Sequence, residues 1–441
     1  MILSRTEGNE FPRFGRIQID TRIYKHSVPP ALARSITVNF SKQDRKSAFR
    51  FIVALGFVSL FADMTYEGAH SVIGPLLKDL GASATQVGII AGFGEMIAAS
   101  LRYFSGRLAD RTRAYWTITT LGYFLNLVVV PGLAFAGNWQ AAALLVVAER
   151  TGKSLRGPAR DVLLSEATEV VGHGSGFGLH TAMDQTGAVL GPLLVAASIA
   201  RTHHVSSAFL WLALPAVGAF IALIFARWIR PNRGTPPPPP VNRQLPQVFW
   251  LYTAAAGLLA LGFVDFPLLA YHFQKNSLTK PEVIPLLYAG AMGINGLAAL
   301  IFGRLFDRYG IQIIVVGILV SLLALPFGFL DATSGVYLSV ACWAIGLGAQ
   351  DATLRSGISQ VVSMNKRGTA FGSFNAAYGM LWFAGSVTMG VLYDYSLMAL
   401  VIFGIGAQLG AAALFIWLRK PLAAKSEKQQ LAENVDNPLN R

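Results

Sequence analysis

Charge is scarce in this 441-residue chain: Asp, Glu, Lys and Arg make up 13% of it, about half the share of a soluble domain. The scarcity is uneven. Charges avoid blocks of about 20 residues, the length that crosses a hydrocarbon core of roughly 30 Å. An ordinary soluble fold is excluded. Cysteine is nearly absent too. Cys342 stands alone, which rules out an intramolecular disulfide and any multi-cysteine metal site; its apolar setting gives it a packing role. Signatures of enzymes are missing. "RTGKS" (150–154) contains Gly-Lys-Ser but lacks the upstream glycine of a phosphate loop, and neither a His-Glu-x-x-His pair nor a Gly-x-Ser-x-Gly elbow occurs. The expectation is a chain that is not an enzyme and carries no cofactor or resident metal. No apolar core followed by a small-residue cleavage site precedes the first apolar run, which argues against a signal peptide.

What is present is an all-α polytopic membrane protein. Apolar segments lie near 49–72, 85–105, 115–136, 139–160, 176–200 and 206–228, then near 248–272, 282–303, 311–330, 335–358, 368–391 and 396–418. Twelve transmembrane helices fall into two sets of six. "ARWIRPNRGTPPPPPVNRQ" separates the sets, and its proline run is extended and stiff. The expected organisation is a cytoplasmic tail (1–46), a six-helix bundle (47–229), a Pro/Arg-rich linker (230–247), a second bundle (248–419) and a second tail (420–441). The net charge of +13 does not point to nucleic acid, because Lys and Arg gather between apolar runs. The loops after even-numbered spans hold Arg107, Arg111, Arg113, Arg160, Arg230, Arg233, Arg304, Arg308, Lys366 and Arg367. The opposite loops hold mainly Lys78, Arg201, Lys275 and Lys280. Basic loops stay on the cytoplasmic side, so both termini are expected there, in a bacterial inner membrane.

The two halves repeat. "GRLADR" (106–111) follows the second span and "GRLFDR" (303–308) the eighth; "SGFGLH" (175–180) opens the fifth and "TAFGSF" (369–374) the eleventh. Near-equal offsets indicate an internal duplication, a common architecture of secondary transporters. Gly106, Leu108, Ala109, Asp110 and Arg111 resemble the loop between spans 2 and 3 of the major facilitator superfamily, roughly G-x-L-A-D-R-x-G-R-R. Gly303, Leu305, Asp307, Arg308 and Gly310 resemble it again. Arg113, Ala114 and Tyr115 depart from its basic end. The resemblance implies two pseudo-symmetric six-helix bundles around a cavity open alternately to each side. In these elements glycine permits a tight exit from a span. Asp110 can accept hydrogen bonds from a helix N-terminus or pair with an arginine, a contact that would latch one conformation. The plainer reading is a charged turn that only sets topology.

The fourth span carries "ERTGKSLRGPARD" (149–161). Arg150 lies only about 16 Å of helix beyond Trp139, so it sits near mid-depth. Glu149, Lys153, Arg156 and Arg160 share an arc of about 60°. Facing lipid, each deep charge would cost about 2.5–3.5 kcal/mol, so this face must line a wet cavity or meet partners. Glu149 and Lys153, four apart, are expected to pair, leaving Arg150, Arg156 and Arg160 to find carboxylates or an anionic ligand. Arg160 can also snorkel to headgroups.

Other spans carry matching charges. Asp63 and Glu67 share a face of the first span with Tyr66 and His70. Two carboxylates so close in a low dielectric do not both ionise easily, which suits proton coupling; a structural partner for a span-4 arginine is the alternative. Glu95 and Arg102 share a face of span 2, His180 and Asp184 of span 5. Asp265 in span 7 is read at the depth of Asp63. Asp351 and Arg355 in span 10 are read as a pair. Gly187, Gly191 and Pro192 resemble the G-x-x-x-G-P pattern of the superfamily's antiporters, and small residues four apart let helices approach. Three functions remain open: a proton-driven exporter of a small solute, a proton-coupled importer of an anionic one, for which clustered arginines are suited, and a non-transporting receptor or scaffold. The partners expected are a small-molecule substrate, protons and the bilayer, with the chain a monomer.

Overall fold

The computed structural model describes residues 42–171, 173–229, 245–330, 333–362 and 367–436. Among these residues all regular structure is helical. The helices are α1 (Lys42–His70), α2 (Ile73–Asp79), α3 (Ala84–Thr112), α4 (Tyr115–Gly132), α5 (Trp139–Val171), α6 (His173–Thr202), α7 (Val205–Trp211), α8 (Ala213–Ile229), α9 (Gln247–Gly262), α10 (Phe266–Lys275), α11 (Val283–Tyr309), α12 (Gln312–Ser321), α13 (Ala324–Phe329), α14 (Thr333–Val361), α15 (Arg367–Tyr395) and α16 (Leu397–Asp436). Spans 1, 6, 7 and 9 are each made of two helices, α1–α2, α7–α8, α9–α10 and α12–α13. The other spans are single helices. Both tails beyond these bounds, the proline run, Arg230, Arg233 and Lys366 lie outside the described residues.

Among the described residues ten helices are apolar and long enough to cross a membrane. The two spans that fall short are α5 and α14, the fourth member of each half. Their polarity is the reason: α5 carries the 149–161 charges, and α14 carries Gln350, Asp351 and Arg355. Neither is stabilised chiefly by lipid, so each depends on side chains from its neighbours. At the other extreme α16 runs past its apolar stretch to Asp436, into what the sequence reads as a tail. The residues there, rich in Ala, Lys, Glu and Gln, are good helix formers.

The paired Gly-Arg-Leu motifs are not loops. Both lie inside helices, in the last turns of α3 and α11. Gly106 does not make the exit expected of it; a Cβ there would sit 3.5 Å from the Cβ of Pro158 on α5. The chain turns later, at Arg113 (φ 55°) and Gly310 (φ 64°), whose N–H groups donate to Ala109 O at 2.8 Å and Phe306 O at 2.7 Å. The two turns are spaced in sequence as the two motif glycines are, but their backbones differ: Arg113 is left-handed helical (ψ 17°), whereas Gly310 (ψ −148°) takes a conformation open essentially to glycine alone.

Small residues set the closest helix contacts. A Cβ on Gly187 or Gly191 of α6 would collide with the backbone of Leu60 or Met64 on α1. Across the two halves, Gly88 and Gly92 of α3 meet Ser386 and Phe383 of α15, with Gly390 beside them. The seam between halves is unequal along its length. At the face opposite the basic loops one buried apolar cluster spans both halves, with Val72, Leu76 and Leu77 against Phe266, Leu269 and Phe273. Polar contacts close the same face. Tyr271 Oη donates to Ala82 O at 3.2 Å, Gln274 Nε2 to Asp79 Oδ1 at 2.8 Å, and Thr85 N and Oγ1 to Asp394 Oδ2 at 2.9 and 2.7 Å. Toward the basic loops each half keeps its own cluster, around Phe51 and Tyr123 in one and Phe249 and Tyr252 in the other.

The α1–α6 contact yields a direct test. Gly191→Ala must push α6 from α1 and is expected to cost about 1–3 kcal/mol. Gly293→Ala, with nothing within 4 Å of its added carbon, should leave stability unchanged or slightly raised. Thermal unfolding of the two purified variants in detergent checks the contrast; equal melting would remove the close approach.

Candidate functional site

The charged stripe of α5 turns inward, against α1, α3 and α4. Arg150 is 2% exposed, as low dielectric demands only of a charge with partners. Its Nη2 stands 3.1 Å from Glu95 Oε1 of α3 and donates to His70 Nδ1 at 2.7 Å. Its guanidinium lies 4.6 Å from the centre of the Tyr66 ring. Lys153 Nζ is 3.8 Å from Glu67 Oε1 and 3.1 Å from the centre of the same ring. Arg156 Nη2 is 3.4 Å from Asp63 Oδ1, with Tyr123 beneath its guanidinium at 4.5 Å. Asp63 and Glu67 thus each take a cation from α5, spaced to match because both helices repeat in turns.

Several expected pairings are replaced. Glu149 does not pair with Lys153; it accepts a short hydrogen bond from Asn126 Nδ2 of α4 and lies 3.6 Å from Arg150 Nε. The Lys153 stem instead reaches along the bundle to Glu67. Glu95 goes to Arg150 rather than Arg102. Arg160 does not snorkel outward: it pairs with Asp161 at 2.9 Å and donates to Ser59 Oγ at 3.0 Å. Ser59 also meets His180 Nε2 at 3.0 Å, and His180 Nδ1 is 3.3 Å from Asp184 Oδ2. Among the described residues no three His, Cys, Asp or Glu side chains gather as a metal site. Asp351 accepts from Asn295 Nδ2 at 3.1 Å.

Asp265 falls in the break between α9 and α10, while Asp63 lies about two turns before the end of α1. Its oxygens accept from Trp382 Nε1 at 2.7 Å and Ser386 Oγ at 2.6 Å. Asp110 accepts from Tyr115 Oη at 3.2 Å, within its own half. Arg308 lies 5.2 Å from the centre of the Tyr309 ring. Arg111 and Asp307 are exposed.

Among the described residues two side-chain hydrogen bonds cross the middle of the seam. Tyr288 Oη of α11 donates to Glu67 Oε2 at 2.7 Å. Gln185 Nε2 of α6 donates to Asn295 Oδ1 at 3.3 Å. Neither Tyr288, Asn126 nor Asn295 is among the residues the sequence reading selects. Asn126 had a signal, being a lone amide within "YFLNLVVV". A tyrosine in a span carries none.

Two chambers open between the halves on the side of the basic loops. One, of about 230 Å³, lies among Glu95 and Arg102 of α3, Gln350, Asp351 and Arg355 of α14, and Tyr378 and Trp382 of α15. The other, of about 260 Å³, lies among Asp63, Arg102, Lys153, Arg156, Arg160, Asp184 and Arg355. A larger, mainly apolar groove of about 750 Å³ lies on the outer surface between Phe49, Phe57, Ile221 and Phe225.

A sequence model of the Major Facilitator Superfamily matches residues 55–386, and a second match covers 264–437. The chain belongs to the major facilitator superfamily. The superfamily's fold and membership point to transport rather than catalysis, in a multi-pass membrane protein. An uncharacterized protein of Mycobacterium tuberculosis is 39% identical over 392 residues, 86% of this chain and 95% of the relative. An uncharacterized MFS-type transporter of Methanocaldococcus jannaschii is 25% identical over 364 residues, 78% of this chain and 89% of the relative. Among solved structures, a mutant form of the nucleoside transporter NupG is similar at a TM-score of 0.70 and 13% identity, covering 83% of this chain and 99% of its own. A bacterial homologue of the iron transporter ferroportin, in an inward-facing state, is similar at 0.61 and 16%, covering 84% and 98%.

The Asn126–Glu149 contact can be tested alone. Asn126→Leu removes the donor to a buried carboxylate and should cost about 1–3 kcal/mol. Adding Glu149→Gln to it should recover part of that loss, read by thermal unfolding. No recovery would mean that Glu149 does not depend on Asn126.

Proposed function

We propose that this protein is a proton-coupled secondary transporter that exports a small solute by alternating access. Glu67 carries the reading. It joins Lys153 of its own half to Tyr288 of the other half, at 3.8 and 2.7 Å. A proton on Glu67 removes the charge that holds Lys153 and changes the only carboxylate contact described between Tyr288 and the first half. Uptake of a proton is thereby linked to the seam. Asp63, beside Arg156, serves as a second acceptor, and His180–Asp184 extends the polar path along α6. Asp265 is left out of this path, because both its oxygens are held by donors of its own half.

The units that move are the bundles 47–229 and 248–419, joined by the linker 230–247. With both termini cytoplasmic, the sealed far face is external and the chambers open inward, as in the inward-facing ferroportin homologue. Among the described residues Asp110 accepts a side-chain hydrogen bond from Tyr115 of its own half; the latch at Gly106, Asp110 and Arg111, and at Gly303, Asp307 and Arg308, closes in the opposite state. Antiport direction rests on Gly187, Gly191 and Pro192, whose glycines pack α6 on α1 with no space for a side chain. The protein acts as a monomer in a bacterial inner membrane.

Import of an anionic solute is the second reading. It is favoured by five cations in one chamber, Arg102, Lys153, Arg156, Arg160 and Arg355, against Asp63, Asp161 and Asp184. Proteoliposomes with an imposed pH gradient separate the two: export drives solute against the proton flow, import with it. Glu67→Gln is expected to abolish gradient-driven accumulation and leave solute exchange intact. Undiminished driven transport in Glu67→Gln would remove the coupling role.

A further inference from the structure

Three side chains of the second half hold one short turn of the first. The turn, residues 80–83, joins α2 to α3, and Gly81 bends it at a φ of 79°. Gln274 donates to Asp79 just before the turn, and Tyr271 to the carbonyl of Ala82 within it. Asp394, one residue from the end of α15, accepts from Thr85 just after it. This last contact differs in kind. The first N–H groups of a helix have no partner inside it. At the start of α3, Ser83 and Gln86 form a capping box: Ser83 Oγ accepts from Gln86 N at 3.2 Å, and Gln86 Oε1 accepts from Ser83 N at 2.8 Å. The N–H of Thr85 is left over by that box. It donates to Asp394 Oδ2 at 2.9 Å, and the Thr85 hydroxyl donates to the same oxygen at 2.7 Å. A carboxylate of one half thus completes the cap of a helix in the other, where the helix dipole favours its charge.

The backbone is built for this approach. Gly390 stands one turn before Asp394, and a Cβ there would lie 2.7 Å from Ala84 O and 3.0 Å from Thr85 Cα. The duplication shows the contact to be one-sided. The offset between the motif glycines carries Thr85 to Glu282, and the offset from "SGFGLH" to "TAFGSF" carries Asp394 back to Ala200. The matching seam, α6 on α11, therefore has a methyl group where α15 has a carboxylate. Beneath the capped turn, Val72, Leu76 and Leu77 pack on Phe266, Leu269 and Phe273, but apolar contact is non-directional and yields to sliding. A charged cap is directional and is lost over a small displacement. We propose that Asp394 is the latch of the far face: its bond to the start of α3 holds that face closed, and the face opens only when the bond breaks. This rests on the alternating-access part of the reading above and names the contact that sets the balance between the two states.

Thiol labelling of the purified full-length protein in detergent, without any gradient, tests the latch apart from coupling. Cys342→Ala removes the native thiol, and Leu76→Cys places one beneath the turn, at a side chain 4% exposed. The rate at which a bulky hydrophilic maleimide reacts there follows the fraction of time the far face is open. In this background Asp394→Ala should speed labelling about fivefold or more, with Asp394→Asn and Thr85→Val, which each leave part of the contact, in between. Asp394→Ala combined with Thr85→Val should be no faster than Asp394→Ala alone, because both remove one interaction. Glu282→Ala, at the start of α11, should leave the rate unchanged. The milder variants carry the same test if Asp394→Ala proves unstable. Equal rates in the parent and the Asp394 variants overturn the latch and leave alternating access standing, as does a double variant whose effects multiply. A Glu282→Ala rate as high as that of Asp394→Ala overturns it too, since any far-face acid would then serve. A thiol that stays unlabelled in every variant overturns the latch and alternating access together.

Discussion

Everything in the first half is arranged around the cost of charge in a poorly solvated interior. The α5 helix takes cations into the buried interior of the bundle, and no cation there is stable without a counter-charge and donors suited to it. Glu95, Glu67 and Asp63 meet Arg150, Lys153 and Arg156 in turn. This fixes the rotation of α1, α3 and α5 about their axes, since each carboxylate can reach only from one face. Buried ion pairs seldom add much net stability over an apolar core. Their value here lies in specifying one packing.

The second constraint is the inequality of the seam. At the far face the halves share a single apolar cluster and several hydrogen bonds. Toward the basic loops they share little buried apolar surface, and the chambers lie there. Glycines let α3 and α15 meet closely near the sealed end. A body joined firmly at one end and loosely at the other can rock, and the polar contacts at its middle, Glu67–Tyr288 and Gln185–Asn295, are the ones such a motion must remake.

Much of the fold was legible because membrane crossing depends on length and apolarity, which a sequence states openly. The spans follow from that alone, and the repeated motifs add the duplication. The charged stripe also leaves Arg150, Arg156 and Arg160 in need of carboxylates or an anionic ligand, and Arg150 and Arg156 meet Glu95 and Asp63. Partner choice was less legible. The local four-residue rule gave Glu149 to Lys153, but Asn126 and Glu67 offered each a better tertiary contact. Glu95 and Arg102 share a face, yet Arg150 stands nearer to Glu95. The rotation of one helix against another decides such cases, and periodicity does not encode it. The Gly106 and Gly303 motifs misled for a different reason: glycine allows a turn without requiring one, and a helix continued through both.

The central claim is that the α5 cations are held by acids of neighbouring helices. A double-mutant cycle on Asp63 and Arg156, read by thermal unfolding of the wild type, Asp63→Asn, Arg156→Met and the double variant, tests it most directly. Pairing predicts that Arg156→Met alone costs about 3–5 kcal/mol and that adding Asp63→Asn restores most of it. Losses that simply add would show the two side chains to be independent, and would contradict the account.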